Sequence, residues 1–365
     1  MRPLRRSVQI LGPVILLALP AGADEDHPFI EDLNNIKTVA STIPPNGDVN
    51  PYGVAVVPVT AGKLEEGSVL VSNFNNSGNL QGTGTTIVEI ASNGKATTFA
   101  KLNASSLPGP CPGGVGLTTA LVALRSGFVI VGSLPTSDGT AATAKAGCLI
   151  VLDRNGAAVA TLSGNGINGP WDMTALDLGG FVVLFVTNVL NGTVAANGSV
   201  VHGGTVLRIA LLTPPTGAPR ELTRMVIATG FPERTDPNAL VIGPTGLSLS
   251  RDGRLFVGDT LQNRIAAIPF ALFRIDDAGT GVTISEGGAL KGPLGLATAP
   301  NGNILTVNSG DGNMVETTPG GEQVAVKPVD VSHQGAGTLF GLAIAPNSHG
   351  VYFVDDGNNT LNLMH

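Results

Sequence analysis

Asp172, His202 and His333 are the side chains of this sequence whose types best suit proton transfer or metal ligation. His202 lies in a Gly- and Asn-rich insertion and His333 in a connection between two apolar segments, with no fixed spacing between them or to Asp172. Such a pattern fits surface histidines as readily as a general base. His349 falls in a tight turn, and His27 and His365 lie near the chain ends. Ser72, Ser133 and Ser309 close apolar stretches, but none sits in a GxSxG nucleophile elbow, so each reads as a turn serine. The 2 cysteines, Cys111 and Cys148, are the even count of a disulfide, and neither a CxxC spacing nor a neighbouring histidine gives them a redox or metal role. No metal and no cofactor is expected from any of these spacings.

The elements that must position these residues are repeated. PTGLSLSRDGRLFVGDT from Pro244, PLGLATAPNGNILTVNSG from Pro293 and LFGLAIAPNSHGVYFVDDG from Leu339 each place a Gly before an apolar strand, a polar turn, and a second apolar strand ending on Asp or Asn. Earlier copies open at Tyr52-Gly53, at Gly113 to Gly116 and at Trp171-Asp172. A repeat of roughly 45 to 70 residues made of short strands buries its faces only against neighbouring copies. The fold class is therefore all-β, a six-bladed β-propeller of four-stranded blades, with seven blades the alternative count. The last copy ends one strand short, and Ile36 to Thr42 has the pattern of an outermost strand, so an N-terminal strand is expected to close the ring and remove the open edge. Arg251-Asp252-Gly253 and Pro300-Asn301-Gly302 are tight turns on one face. The insertions 73–85, 134–147 and 188–204 gather on the other, the face where binding is expected.

Arg2, Arg5 and Arg6 precede the apolar run Ile10 to Leu19, and Ala21-Gly22-Ala23 supplies a cleavage site, so residues 1–23 read as a signal peptide and residues 24–365 as one domain. The protein is expected in the periplasm or secreted. Loss of those arginines takes the formal charge from −7 to −10. An acidic chain without basic clusters is not suited to nucleic acid or anionic lipid. After Leu19 no apolar run is long enough for a membrane span.

The stretch Phe256 to Ile265, FVGDTLQNRI, resembles the NHL repeat, and Asp355, Asn359 and Leu361 keep its spacing. The resemblance implies a six-bladed propeller and, at Asp259, Asn308 and Asp355, a structural role in the corner between strand and loop. The chain is also distantly similar to gluconolactonase and senescence-marker-protein propellers, which hold a divalent ion in the channel. The positions implied by that similarity carry Tyr52, Val115, Thr245, Leu294 and Phe340, with Trp171-Asp172 in blade three. One acidic side chain among these does not satisfy a hard cation. Tyr52, Trp171, Asp172, Thr245 and Phe340 instead read as a ligand pocket with few polar anchors. The expectation is an exported binding module for a small molecule, glycan or protein at the long-loop face. The alternative is a lactonase-like or lyase-like propeller enzyme with Asp172, His202 and His333 in an atypical channel.

Overall fold

The computed structural model describes residues 27–330 and 338–365; the expected signal peptide and His333 lie outside the described residues. Six antiparallel sheets follow one another along the chain. Their innermost strands are Val49–Val56, Leu117–Ala123, Pro170–Asp177, Pro244–Leu249, Pro293–Thr298 and Leu339–Ile344. Each touches the next and the last touches the first, so the sheets are the blades of a closed propeller.

Sandwiching between neighbouring blades explains the composition of the strands. Val69–Asn75, Thr86–Ile90, Cys148–Leu152 and Leu255–Asp259 are buried along their whole length because both faces meet another sheet. Outermost strands such as Ala96–Lys101 and Val282–Glu286 alternate or are mostly exposed. Between them, apolar clusters fill each inter-blade seam, the one between blades six and one continuing onto the axis. The tight turns between first and second strands rest on glycines that supply positive φ, +82° at Gly253 and +89° at Gly302.

The ring closes through the N-terminal strand. Ile36–Ser41 pairs antiparallel with Thr360–Met364, from Ile36 against Met364 to Ser41 against Thr360, with a bulge between Thr38 and Ala40. The sixth blade thus takes three strands from the C-terminus and one from the N-terminus.

Blade three departs from the four-strand pattern. Its outer strand, Arg220–Asp236, runs on beyond the blade and turns back through Leu240–Ile242 as a fifth strand. Pro232, Glu233 and Arg234 interrupt any apolar alternation there, which is why only the stretch from Met225 to Ala228 reads as a strand in the sequence. Cys111 and Cys148 are bonded, with Cα atoms 5.1 Å apart, and the bond ties the entry of blade two to its third strand. Among the described residues no helix is long and apolar enough to cross a membrane.

Candidate functional site

The entrances of the inner strands meet on the axis and close it. Tyr52 stacks between Phe74 and Phe340, with ring centroids 4.5 and 3.7 Å away, and Trp171 lies 6.3 Å from Phe340. The blade-three hairpin covers them: Leu240, Val241 and Ile242 are buried in the same cluster, and Trp171 Nε1 donates to the Val241 carbonyl at 3.1 Å. Tyr52 is 2% exposed, and burial, with Asp356 and Asp236 nearby, holds its phenol well above the usual tyrosine range. Thr245 is fully buried, its hydroxyl 2.7 Å from that of Thr260. Tyr52, Trp171, Thr245 and Phe340 are therefore brought together, as the wall and plug of the axis on the long-loop face. Val115 is not among them; it packs against the seam of blades one and two, because blade two enters its inner strand only at Leu117.

Below this plug the channel is open at the other end. Gly53 N donates to Ser72 Oγ and Asp172 N to Thr187 Oγ1, which places Asp172 where blade one has glycine. Gly246, Gly295 and Gly341 repeat that position, and a Cβ at any of these four glycines would come closer than 3.0 Å to a backbone oxygen of the adjoining strand. Blade three carries a carboxyl instead. Asp172 accepts from Leu247 N at 2.9 Å across the inter-blade gap and faces a cavity of about 360 Å³. The cavity runs along Val54, Leu121, Met173, Leu247, Leu296 and Leu342 to the C-terminal ends of the inner strands, so it opens on the tight-turn face. Burial pushes Asp172 up to about 7, against the lowering effect of the Leu247 and Met173 N–H groups.

On the long-loop face a separate cavity of about 580 Å³ lies between blades one and six and the tip of the blade-three hairpin. Asn50, Asn75, Asn79, Gln81, Asn238 and Asn359 line it, with Asp356. Gln81 Nε2 donates to the Pro237 carbonyl at 2.6 Å, and Asn75 Nδ2 to Asn79 Oδ1 at 2.7 Å. Asn75 Oδ1 and Gln81 Oε1 are buried with no hydrogen-bond partner. Burial, then the charges of Asp355 and Asp330, push Asp356 up to about 7.

The remaining candidates are apart from both cavities or are occupied. His202 is exposed at the start of Val201–Leu212, at the long-loop end of its blade, whereas Asp172 faces the channel on the opposite side. Ser72 donates to the Thr118 carbonyl, Ser133 to that of Gly114 and Ser309 to that of Gly292. Asp259 pairs with Arg264 at 2.7 Å, Asn308 Oδ1 accepts from Lys291 N at 3.1 Å, and Asp355 Oδ2 accepts from Asn358 Nδ2 at 2.9 Å, so all three strand-end residues fix corners. Among the described residues no group of three or more His, Cys, Asp or Glu is placed to hold a metal ion.

Sequence reasoning misses Glu233 and Asp356. Glu233, on the first strand of the blade-three hairpin, is buried, accepts from Asn191 N at 2.8 Å and is pushed up to about 7 by burial. Nothing local marks either residue as buried. Asp172, Glu233 and Asp356 all hold a proton more readily folded than unfolded, so their contribution to stability is full below the ordinary carboxylate range and is lost as pH rises through about 7. The melting temperature is expected to be higher at pH 5 than at pH 8. A profile that is flat or rises over that interval would contradict three raised carboxyls.

The chain matches no protein-family model, and no curated protein is significantly similar to it in sequence. Among solved structures it is similar to a gluconolactonase from Xanthomonas campestris, with 13% identity over 90% of this chain and 88% of that one and a TM-score of 0.56. It is also similar to the PQQ-bound aldose sugar dehydrogenase of Streptomyces coelicolor, with 17% identity, 90% and 97% coverage and a TM-score of 0.53. A chain of a nidogen/laminin complex aligns with 11% identity, 80% and 84% coverage and a TM-score of 0.51. What they share is the propeller. At these identities the likeness fixes the fold and leaves the chemistry to the residues of this chain.

Proposed function

We propose that the protein is an exported propeller that binds a small neutral polyhydroxylated ligand, a saccharide or glycan terminus, in the long-loop cavity and performs no catalysis of its own. The observation that carries this reading is a long-loop cavity rimmed by six carboxamides, those of Asn50, Asn75, Asn79, Gln81, Asn238 and Asn359. Each carboxamide offers both a donor and an acceptor, the combination that sugar hydroxyls match. Anions are disfavoured, since Asp356 lines the cavity and Asp355 and Asp330 stand close behind it. Export is consistent with the N-terminal charge pattern and with the Cys111–Cys148 disulfide.

Catalysis of lactonase or lyase type is the second reading, favoured by the raised carboxyl of Asp172 in the channel and by fold neighbours that include a gluconolactonase. The two readings differ in a direct experiment. A panel of neutral saccharides screened by thermal shift and calorimetry should yield a saturable ligand whose affinity falls at least roughly tenfold, the scale of one good hydrogen bond, in Gln81→Ala and Asn238→Ala. The same protein should leave lactones and ester substrates unhydrolysed. Lactone turnover lost in Asp172→Asn, with no saccharide bound, would overturn the binding reading.

A further inference from the structure

The channel on the tight-turn face combines aliphatic side chains with a buried carboxyl at its inner end. Its walls carry aliphatic side chains of the inner strands, Val54, Leu121, Leu247, Leu296 and Leu342, interspersed with the hydroxyl side chains of Thr119, Ser248 and Thr298. At its inner end, beneath the aromatic plug, stands the carboxyl of Asp172, 8% exposed, and that exposure is to the cavity it lines. The lining residues include no Lys, Arg or His, and the one other ionisable side chain among them, Asp177, is at the rim, where its Oδ2 accepts from Arg125 N at 2.6 Å. A desolvated carboxyl is ordinarily paired with a cation or a metal. Here the protein supplies only backbone N–H groups, from Leu247 and Met173.

We infer that the channel is a binding site for a small primary alkylammonium ion, with the ammonium on the Asp172 carboxyl and the hydrocarbon chain along the aliphatic walls. The charge of the ligand offsets the burial of the carboxylate, and its methylenes displace water from apolar surface. The lining contains no aromatic ring, so a quaternary ammonium, which depends on cation–π contact and has no N–H to donate, fits less well. This site is on the face opposite the long-loop cavity and does not depend on what binds there.

The chemistry predicts a linkage with a definite sign. Cation binding needs the ionised carboxyl, and the burial that pushes Asp172 up to about 7 keeps it largely protonated in weak acid. Affinity should therefore rise between pH 5 and pH 8, while the amine itself, with a pKa close to that of lysine at about 10.4, stays protonated throughout.

The test is calorimetry of the full-length protein with n-hexylammonium, 1-hexanol and hexyltrimethylammonium. The expected result is 1:1 saturable binding of n-hexylammonium, at least roughly tenfold tighter than either analogue, the scale of one charge-assisted hydrogen bond. Its affinity should be at least roughly tenfold higher at pH 8 than at pH 5, and Asp172→Asn should lose both the affinity and the pH dependence. Because Asp172 also holds Leu247 across the blade gap, the wild-type pH series and the alcohol comparison serve if that variant folds poorly. Equal binding of hexanol, an affinity that is flat with pH, multiple weak sites screened by salt, or no binding at all would overturn the proposal.

Discussion

Deletion of residues 27–45 is expected to cause aggregation or a fall of about 10 °C or more in melting temperature. The segment does more than supply one strand. Ile36–Ser41 covers the edge of Thr360–Met364, and without it that edge presents free N–H and C=O groups to other chains. Upstream, Phe29 N and Ile30 N each donate to a different oxygen of the buried Glu316 carboxylate at 2.8 Å, and Ile30 is buried in the seam of blades five and six. Lys327 Nζ binds the carbonyls of Glu31 and Leu33 at 2.7 and 2.9 Å. Burial of Ile30 contributes about 1.5–3 kcal/mol. Taking two donors from a buried carboxylate costs about 1–3 kcal/mol each. At about 1.4 °C per kcal/mol for a domain of this length, these terms amount to about 5–13 °C, and the lost strand adds to them. Thermal unfolding and light scattering of the truncated chain would check it. An unchanged melting temperature would mean that the ring closes without its N-terminal strand.

Phe340→Ala is expected to cost about 3–5 kcal/mol, which for a domain of this length corresponds to a drop of about 4–7 °C. Phe340 is fully buried, stacked on Tyr52 and tilted against Trp171 at the point where the inner strands converge. Surrounding backbone is held by the glycines that pack strand against strand, so the cavity left by the ring has little freedom to collapse. The paired control is Phe273→Ala. Phe273 is 82% exposed on the loop after blade four's third strand, and its removal should change stability by no more than about 0.5 kcal/mol. Equal, small effects of both substitutions, measured by denaturant unfolding, would show that the aromatic plug is not a structural element of the axis.

The propeller, its six blades, the N-terminal closing strand and the Cys111–Cys148 pairing are all legible in the sequence, because each is written in local features: glycine before an apolar run, turn residues at fixed offsets, and an even count of two cysteines. Asp259, Asn308 and Asp355 are legible as corner residues for the same reason. What the axis does is not. Tyr52, Trp171 and Phe340 share a position in their repeats, but the sequence does not say whether such residues line an opening or close it. That is decided by the extension of blade three, where Leu240 to Ile242 fold over the rings, a contact made between residues as far apart as Trp171 and Val241. The same closure directs the channel to the tight-turn face and leaves Asp172 at its inner end. The long-loop cavity is likewise assembled from Asn75, Gln81, Asn238 and Asn359, which belong to three different blades. Strand patterning is enforced residue by residue by burial on a sheet face, so it survives in the one-dimensional record. Which loop crosses the axis, and which carboxyl it leaves desolvated, depends on packing between distant segments and is fixed only when the ring has closed.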